Sequence, residues 1–178
     1  MGGEGPRKAG VLGKPIAHSK SPLLHMAAYR ALGLGGWTYE RIECDAEMLP
    51  GLVGALGPEW AGLSVTMPGK FAALEFAAER TARADLVGSA NTLVRVDGGW
   101  RADCTDIDGV TGALDELDVA AGRVSAVQDS GVRDGAPLVL GAGGTARPAI
   151  VALAERGATE IVIAVRAPER AGGAVECA

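Results

Sequence analysis

The sequence predicts an α/β protein with mainly parallel sheets. Short apolar runs that suit buried strands alternate with longer segments whose apolar residues recur near the helical period. The 27 glycines and 9 prolines stand mostly between these segments, where turns are needed. The chain contains no low-complexity tract and no self-similar repeat. Strands and helices in alternation are typical of a sheet covered by helices, which is the fold class we expect.

The individual elements follow from local signals taken in chain order. Gly33 ends the first helix, Pro68 closes the third strand, and the Asp-Gly-Gly sequence at 97–99 suits a hairpin turn. The predicted elements are strands over 8–13, 37–44 and 61–68, helices over 21–32, 46–56, 71–84 and 108–117, a hairpin over 89–106, and a strand, helix and strand between 138 and 167. A segment rich in glycine and aspartate precedes the last three elements. We therefore expect domains over 7–118 and 137–178, joined by a linker over 119–136.

Composition narrows the classes of partner. The chain has 178 residues, 48% of them hydrophobic, and its net charge of −5 argues against a nucleic-acid partner. No apolar run reaches the length that spans a membrane, and the N-terminal residues lack the apolar core of a secretory signal. The three cysteines, Cys44, Cys104 and Cys177, are far apart and lack the spacing of a metal site. We expect a cytoplasmic protein without a bound metal.

The sequence "GAGGTA" over 141–146 carries a nucleotide-binding pattern. It follows an apolar strand and opens a helix, and Gly141, Gly143 and Ala146 fit G-x-G-x-x-G/A. The first glycine permits a tight turn, and the second lets a diphosphate approach the backbone and the free N–H groups of the helix. The alternative is a glycine-rich turn without a ligand. This pattern predicts that residues 137–178 form the first part of a Rossmann-type dinucleotide-binding domain.

Arg166 indicates which dinucleotide is bound. It stands at the end of the next predicted strand, where an acidic residue would bond the ribose of NAD. A guanidinium group instead suits the 2′-phosphate of NADP. The alternative is an ordinary solvated arginine. We expect NADP.

Lys70 and Asp106 are candidates for proton transfer. Lys70 ends "LSVTMPGK", directly after a buried strand, which is where open α/β sheets bind ligands. Asp106 closes another strand and precedes a helix. A lysine and a carboxylate in a cleft can pass a proton to a carbonyl oxygen during hydride transfer. Taken singly, each residue is more often a surface charge or a helix cap than a catalytic group.

The sequence "PIAHSKSP" over 15–22 places two serines between a strand and a helix. Ser21 suits the N-cap of that helix, with Pro22 at its first position. Capping needs one hydroxyl, so Ser19 requires a separate explanation.

Five motifs together indicate a family. "PIAHSKSP", "LSVTMPGK", "GSANTL", "CTDIDG" and "GAGGTARPA" occur in an order and at spacings that resemble shikimate dehydrogenases, from about residue 8 to residue 170. The resemblance implies an NADP-dependent oxidoreductase of aromatic amino-acid biosynthesis that interconverts 3-dehydroshikimate and shikimate. It also implies that residues 7–118 are the substrate-binding catalytic domain.

The resemblance implies a role for each motif residue. Lys70 matches the catalytic lysine and Asp106 its partner. Ser19 and Ser21 match the serines that bind the substrate carboxylate, and hydroxyls beside a helix N-terminus do make a small anion site. Thr66 and Asn91 match residues that bond the ring hydroxyls, although alone they suit a strand and a turn. The matching cofactor residues are Gly141, Ala142, Gly143, Gly144, Thr145, Ala146 and Arg166. His18 and His25 match no catalytic position, so we expect structural or surface roles for them.

The sequence also departs from the family pattern. Cys104 replaces an asparagine, Gly69 replaces an aromatic residue, and Arg166 lacks the polar neighbours usual on either side of it. Family members continue well beyond the strand where this chain stops. We therefore expect a truncated form that is inactive alone, with a non-catalytic shikimate-binding module as the alternative. An NAD-dependent quinate/shikimate dehydrogenase is the other enzymatic possibility, and either a monomer or a homodimer fits the sequence.

Overall fold

The computed structural model describes residues 7–120 and 136–177. It divides into two compact units, Met1–Asp103 and Cys104–Ala178. The predicted linker over 119–136 lies almost wholly outside the described residues. The division falls before the helix that the sequence assigned to the first domain, so the units and the predicted domains do not share a boundary.

The first unit is built on a six-stranded mixed sheet. Its strands and helices are β1 Arg7–Gly13, α1 Ser21–Ala31, β2 Trp37–Glu43, α2 Leu49–Gly54, β3 Trp60–Val65, α3 Lys70–Phe76, β4 Glu79–Arg80, α4 Ala82–Val87, β5 Thr92–Val96 and β6 Gly99–Asp103. The strand order is β2-β1-β3-β5-β6-β4. β1 pairs in parallel with β2 and β3, β4 pairs in parallel with β6, and β5 is antiparallel to β3 and β6. The predicted α/β class with a mainly parallel sheet is confirmed.

The apolar core explains why β1 lies inside this sheet. Its last five residues are all buried, as expected of a parallel strand covered on both faces. Ala9, Val11 and Ile16 form one buried cluster with Tyr39, and Met26 and Tyr29 of α1 pack against it. The loop that follows β1 is therefore anchored at Ile16 to the same core that holds the sheet and α1 together.

The predicted helix over 71–84 is wrong in its second half. α3 stops at Ala77, whose backbone is extended, and the N–H of Ala78 donates to the carbonyl of Trp100 at 3.0 Å. Glu79 and Arg80 then pair with β6 as a short edge strand. Thr81 starts α4, because its hydroxyl accepts the N–H of Ala84 at 3.3 Å. Residues 78–80 therefore pair with β6, although their sequence pattern is typical of a helix.

The described part of the second unit contains a two-stranded parallel sheet and four helical segments. They are α5 Asp106–Ala120, β7 Leu138–Leu140, α6 Ala146–Glu155, β8 Val162–Ala164, a 3-10 helix Pro168–Arg170 and α7 Gly172–Val175. Arg156, which follows α6, is ion-paired with Asp115 and Asp118 of α5. These contacts explain why α5 groups with the second unit. Within the described residues, no helix is both long and apolar enough to cross a membrane.

Candidate active site

Polar residues gather at the edge of the first sheet where the three parallel strands β1, β2 and β3 end. The N–H of Thr66, directly after β3, donates to the carbonyl of Leu12 at 2.9 Å. The N–H of Cys44, directly after β2, donates to the carbonyl of Gly13 at 3.0 Å. The loops that leave these strands therefore begin side by side, which is the usual position of a ligand site in such a sheet.

The serine loop, residues 14–21, leaves β1 at this edge. The N–H of Ser19 donates to the carbonyl of Ile16 at 3.0 Å, and the Ser19 hydroxyl oxygen accepts the N–H of Ser21 at 3.3 Å. Ser21 is the first residue of α1, and Lys20 occupies the N-cap position without a side-chain cap. The predicted N-cap role of Ser21 is therefore wrong. Ser19 bonds the helix N-terminus instead, which leaves the Ser21 hydroxyl outside any capping bond.

Tyr39 of β2 supports the serine loop, and the sequence did not reveal it. Its side chain is 7% exposed, and its hydroxyl donates to the Ser64 oxygen at 2.7 Å. His25 of α1 stacks on its ring at 3.9 Å and has Nδ1 2.8 Å from the carbonyl oxygen of Ser21. Burial raises the pKa of Tyr39, and hydrogen bonds with Ser64 and Ser21 oppose this effect. His25 thus has a structural role next to the serines.

Arg41 is a second residue of β2 that contacts the loop. Its Nε and Nη2 atoms both donate to the carbonyl oxygen of Ser19, at 2.9 and 2.6 Å. Residues two apart in a strand lie on the same face, so Arg41 and Tyr39 meet the serine loop from one side. No local signal distinguishes this arginine from any other charged residue of an exposed strand.

An ion pair lies where the loop begins. Lys14 donates to a carboxylate oxygen of Asp45 at 2.9 Å, and the other oxygen accepts the N–H of Met48 at 3.0 Å. The hydrogen bond and charge of Asp45 raise the pKa of Lys14, and the bonds from Lys14 and Met48 lower the pKa of Asp45. The Lys14 side chain is exposed to solvent, and the Asp45 side chain is partly exposed. This pair links the ends of β1 and β2.

Thr66, Lys70 and Asn91 are brought to the same edge by backbone hydrogen bonds. Asn91 precedes β5, and its carbonyl accepts the N–H of Val65 at 2.7 Å. The N–H of Ala90 donates to the carbonyl of Lys70 at 2.9 Å, which ties the start of α3 to the residue before Asn91. The sequence predicted Thr66 and Lys70 from the motif "LSVTMPGK" and Asn91 from the motif "GSANTL". These backbone hydrogen bonds join the chain segments that carry Thr66, Lys70 and Asn91.

Gly13 and Gly69 make room for this arrangement. A Cβ on Gly13 would lie 2.5 Å from the methyl carbon of Thr66 and 3.0 Å from Cδ1 of Ile16. Gly69, just before Lys70, is buried, and a Cβ there would lie 3.0 Å from Cγ1 of Val65. Both glycines therefore allow the loop after β3 to pack closely against β1 and the core.

Asp106 lies in the second unit. It is the first residue of α5 and is partly buried. Lys70 belongs to the first unit. The pairing of Asp106 with Lys70 stays a prediction.

The glycine loop joins β7 to α6 in the second unit. Gly141 has φ +101°, a conformation that favours glycine, and its N–H donates to the carbonyl of Ala164 at 2.9 Å. Gly143 has open space where a Cβ would stand. Ala142 and Gly144 complete the loop with Thr145, the N-cap of α6, and Ala146, its first residue. Within the described part of the chain, the N–H groups of Gly143 and Gly144 have no hydrogen-bond acceptor.

Arg166 lies at the same edge of the β7–β8 sheet as this loop. The two strands are parallel, with Leu140 opposite Ala164, so Gly141 and the residues after β8 leave the sheet together. The Arg166 side chain is exposed. Among residues 7–120 and 136–177, no cluster of three or more histidine, cysteine or acidic side chains is suited to hold a metal ion.

The fold and the loop define an α/β protein with a Rossmann-type strand, glycine loop, helix and strand in its second unit. Residues 11–93 match the family model described as the shikimate dehydrogenase substrate binding domain. The resemblance to shikimate dehydrogenases, including their N-terminal substrate domain, is therefore confirmed.

Individual relatives agree with this family. The chain is 41% identical over 165 residues to a shikimate dehydrogenase (NADP(+)) of Methanothermobacter thermautotrophicus, covering 91% of this chain and 53% of that protein. It is 61% identical to the crystal structure of Mycobacterium tuberculosis shikimate dehydrogenase, with a TM-score of 0.82 over 97% of this chain and 59% of that one. A Thermus thermophilus shikimate 5-dehydrogenase in complex with NADP(H) and shikimate is 35% identical, with a TM-score of 0.79 over 96% and 60% of the two chains. The chain spans about half the length of the curated relatives it matches.

Proposed function

We propose that the protein is a shikimate dehydrogenase that reversibly reduces 3-dehydroshikimate to shikimate with NADPH. The observation that carries this proposal is the edge of the first sheet, where the serine loop, Thr66, Lys70 and Asn91 lie beside the ends of neighbouring strands. The relatives named for this activity, and the complex of one of them with NADP(H) and shikimate, support it. The corresponding reaction class is an oxidoreductase acting on a secondary alcohol.

In the proposed substrate site, two serine hydroxyls bind the substrate carboxylate, and the side chains of Thr66 and Asn91 bind the ring hydroxyls. Ser19 accepts a backbone N–H through its oxygen, so its own O–H is left to donate to an anion. Ser21 lies beside it at the start of α1, where backbone N–H groups add a partial positive charge. Thr66 and Asn91 bond the ring hydroxyls from the neighbouring strand ends. Each of these groups is held by the backbone bonds described above.

Lys70 and Asp106 are the proposed catalytic pair. In the reducing direction, Lys70 gives a proton to the carbonyl oxygen as that oxygen becomes a hydroxyl, and it takes the proton back in the oxidising direction. Asp106 orients the ammonium group and the substrate hydroxyl. Lys70 starts α3, and its backbone is fixed to Ala90, so its side chain extends from a rigid position.

The second unit fits a dinucleotide. Its loop offers the N–H groups of Gly143 and Gly144 and open space above Gly143, as a diphosphate requires. Arg166 lies at the same sheet edge, where its guanidinium group suits the 2′-phosphate of NADP. When bound, NADPH supplies the hydride that reduces the carbonyl carbon.

The proposal retains the functional domains predicted from the sequence. Residues 7–118 hold the substrate and both catalytic residues, and residues 137–178 begin the NADP-binding domain, with the linker over 119–136 between them. A cytoplasmic location and a monomeric or homodimeric state stay predictions.

The direct test is turnover by the protein at its native length. Shikimate with NADP should produce NADPH, which is followed by its absorbance, and quinate or NAD should be used much more slowly. Binding of shikimate without turnover would favour a non-catalytic shikimate-binding module. Faster turnover with quinate and NAD would favour a quinate/shikimate dehydrogenase. Absence of both binding and turnover would overturn the proposal.

A further inference from the structure

We propose that Arg41 is a positioning residue for the substrate carboxylate, acting through the carbonyl of Ser19. This inference rests on the proposed function, because it concerns how the serine loop recognises an anion. Arg41 does not itself bind the substrate in this proposal. It sets the orientation of the loop that carries the two serines.

The hydrogen bonds of Ser19 show how the loop is fixed. The N–H of Ser19 donates to the carbonyl of Ile16, and its hydroxyl oxygen accepts the N–H of Ser21. Its carbonyl oxygen accepts two N–H groups of Arg41. The two bonds from Arg41 are charge-assisted, and both end on one oxygen atom. They also join the loop to β2, a strand 22 residues further along the chain. Arg41 thus restrains Ser19 through a side chain that is distant in sequence.

Peptide planarity extends this restraint to the next residue. In a trans peptide the carbonyl and the following N–H point in opposite directions. When Arg41 holds the Ser19 carbonyl, the N–H of Lys20 is fixed on the opposite side of the peptide plane. Within residues 7–120 and 136–177 that N–H has no hydrogen-bond acceptor. Arg41 therefore presents one further backbone donor beside the two serine hydroxyls.

Arginine is needed at this position for its geometry as well as its charge. Its planar fork can place two N–H groups on one carbonyl, whereas a lysine ammonium makes a single, less directed contact. Glutamine can donate one hydrogen bond but carries no charge. Loss of Arg41 should free the Ser19–Lys20 peptide to rotate, which would turn the Ser19 hydroxyl and the Lys20 N–H away from a common target.

The test compares Arg41→Gln and Arg41→Lys in the protein at its native length. Dissociation constants are measured by calorimetry for shikimate and for its uncharged methyl ester. Because Arg41 is exposed, we expect Arg41→Gln to weaken shikimate binding by about three- to tenfold, and Arg41→Lys by less. The methyl ester should be affected by less than about twofold, because hydrogen bonds to a neutral acceptor are roughly half as strong.

Two controls separate positioning from general effects. Arg30→Gln removes the same charge from an exposed arginine in the last turn of α1, and it should leave shikimate binding unchanged. In a Ser19→Ala background, Arg41→Gln should have a smaller effect than in the wild-type protein, because the hydroxyl that it positions is absent.

The outcomes distinguish the two proposals. Failure of the wild-type protein to bind shikimate would overturn the proposed function and this inference with it. Normal binding by the wild-type protein and by Arg41→Gln would overturn the role of Arg41 alone. Equal losses for shikimate and its methyl ester, accompanied by a lower melting temperature, would show that Arg41 only stabilises the fold and would also refute the inference.

Discussion

Replacing Gly13 by alanine should displace Thr66 from the candidate active site. The added Cβ would lie 2.5 Å from the methyl carbon of Thr66, 3.0 Å from Cδ1 of Ile16 and 3.1 Å from the carbonyl oxygen of Met67. Carbon atoms in good contact lie about 3.5–4.0 Å apart, so the Thr66 side chain must move by roughly 1 Å. Overpacking of this kind costs about 1–3 kcal/mol, and we expect Gly13→Ala in the upper half of that range.

The clash with Thr66 can be relieved separately from the others. Thr66→Ser removes the methyl group and keeps the hydroxyl that we propose bonds the substrate. Because Thr66 is exposed, this change alone should cost less than about 0.5 kcal/mol. Combined with Gly13→Ala, it should recover about 1 kcal/mol, with the remaining loss due to Ile16 and the Met67 carbonyl.

The assay is denaturant unfolding followed by tryptophan fluorescence, because Trp37, Trp60 and Trp100 all belong to the first unit. Gly51→Ala is the matched control, since Gly51 lies inside α2 with open space around its Cβ position. That change should stabilise the protein by about 0.4–1 kcal/mol. Shikimate binding should weaken in Gly13→Ala and recover partly in the double variant. Unfolding of Gly13→Ala at the wild-type midpoint, or additive effects of the two substitutions, would refute this reasoning.

Three further predictions test the catalytic residue, the cofactor and the ion pair. Lys70→Ala should lower turnover by about two to four orders of magnitude, as expected for a lost general acid–base, and near-normal rates would exclude that role. Arg166→Ala should weaken NADP binding about ten- to a hundredfold and leave NAD almost unchanged, and equal losses for both would contradict a 2′-phosphate contact. Asp45→Asn should lower the melting temperature at neutral pH while keeping the bond from Met48. The pKa of Asp45 is lowered, so its contribution is present above the unfolded value of 3.8 and is lost as the pH falls through the folded value. The pKa of Lys14 is raised, so its contribution is present below 10.5 and is lost as the pH rises through the folded value. A difference between variant and wild type that persists in strong acid would argue against the ion pair.

Five of the six strands in the first sheet were predictable because each is signalled locally, and β4 is the exception. β1 is a continuous apolar run, β3 ends before Pro68, and the β5–β6 hairpin has glycine at its turn, where Gly98 adopts φ +88°. The break between α3 and α4 has no comparable signal, because alanine-rich sequence suits a helix throughout. The pairing of residues 78–80 with β6 ends α3, before Thr81 caps α4, and that pairing joins residues about twenty positions apart. Short edge strands of this kind follow from the sheet and not from their own composition.

The same distinction explains which site residues the sequence revealed. Ser19, Thr66, Lys70 and Asn91 stand in short motifs at the ends of strands, where local order already suggests a ligand site. Tyr39 and Arg41 stand in the middle of β2, in a run that alternates like any half-exposed strand. Their partners, Ser64 and Ser19, lie 25 and 22 residues away in sequence. The register of β2 against β1 brings both side chains to the serine loop, since Ala9 pairs with Tyr39 and Val11 with Arg41.

This register makes β2 a functional part of the serine loop. A shift of β2 by one residue would turn Tyr39 and Arg41 to the opposite face of the sheet, away from α1 and from Ser19. The buried ring of Tyr39, stacked on His25, opposes such a shift because it would have to leave the apolar cluster. Arg41 lies on the same face but is exposed, and it donates hydrogen bonds to the carbonyl of Ser19. The core thus fixes the strand, and the strand fixes the orientation of the loop that we propose binds the substrate carboxylate.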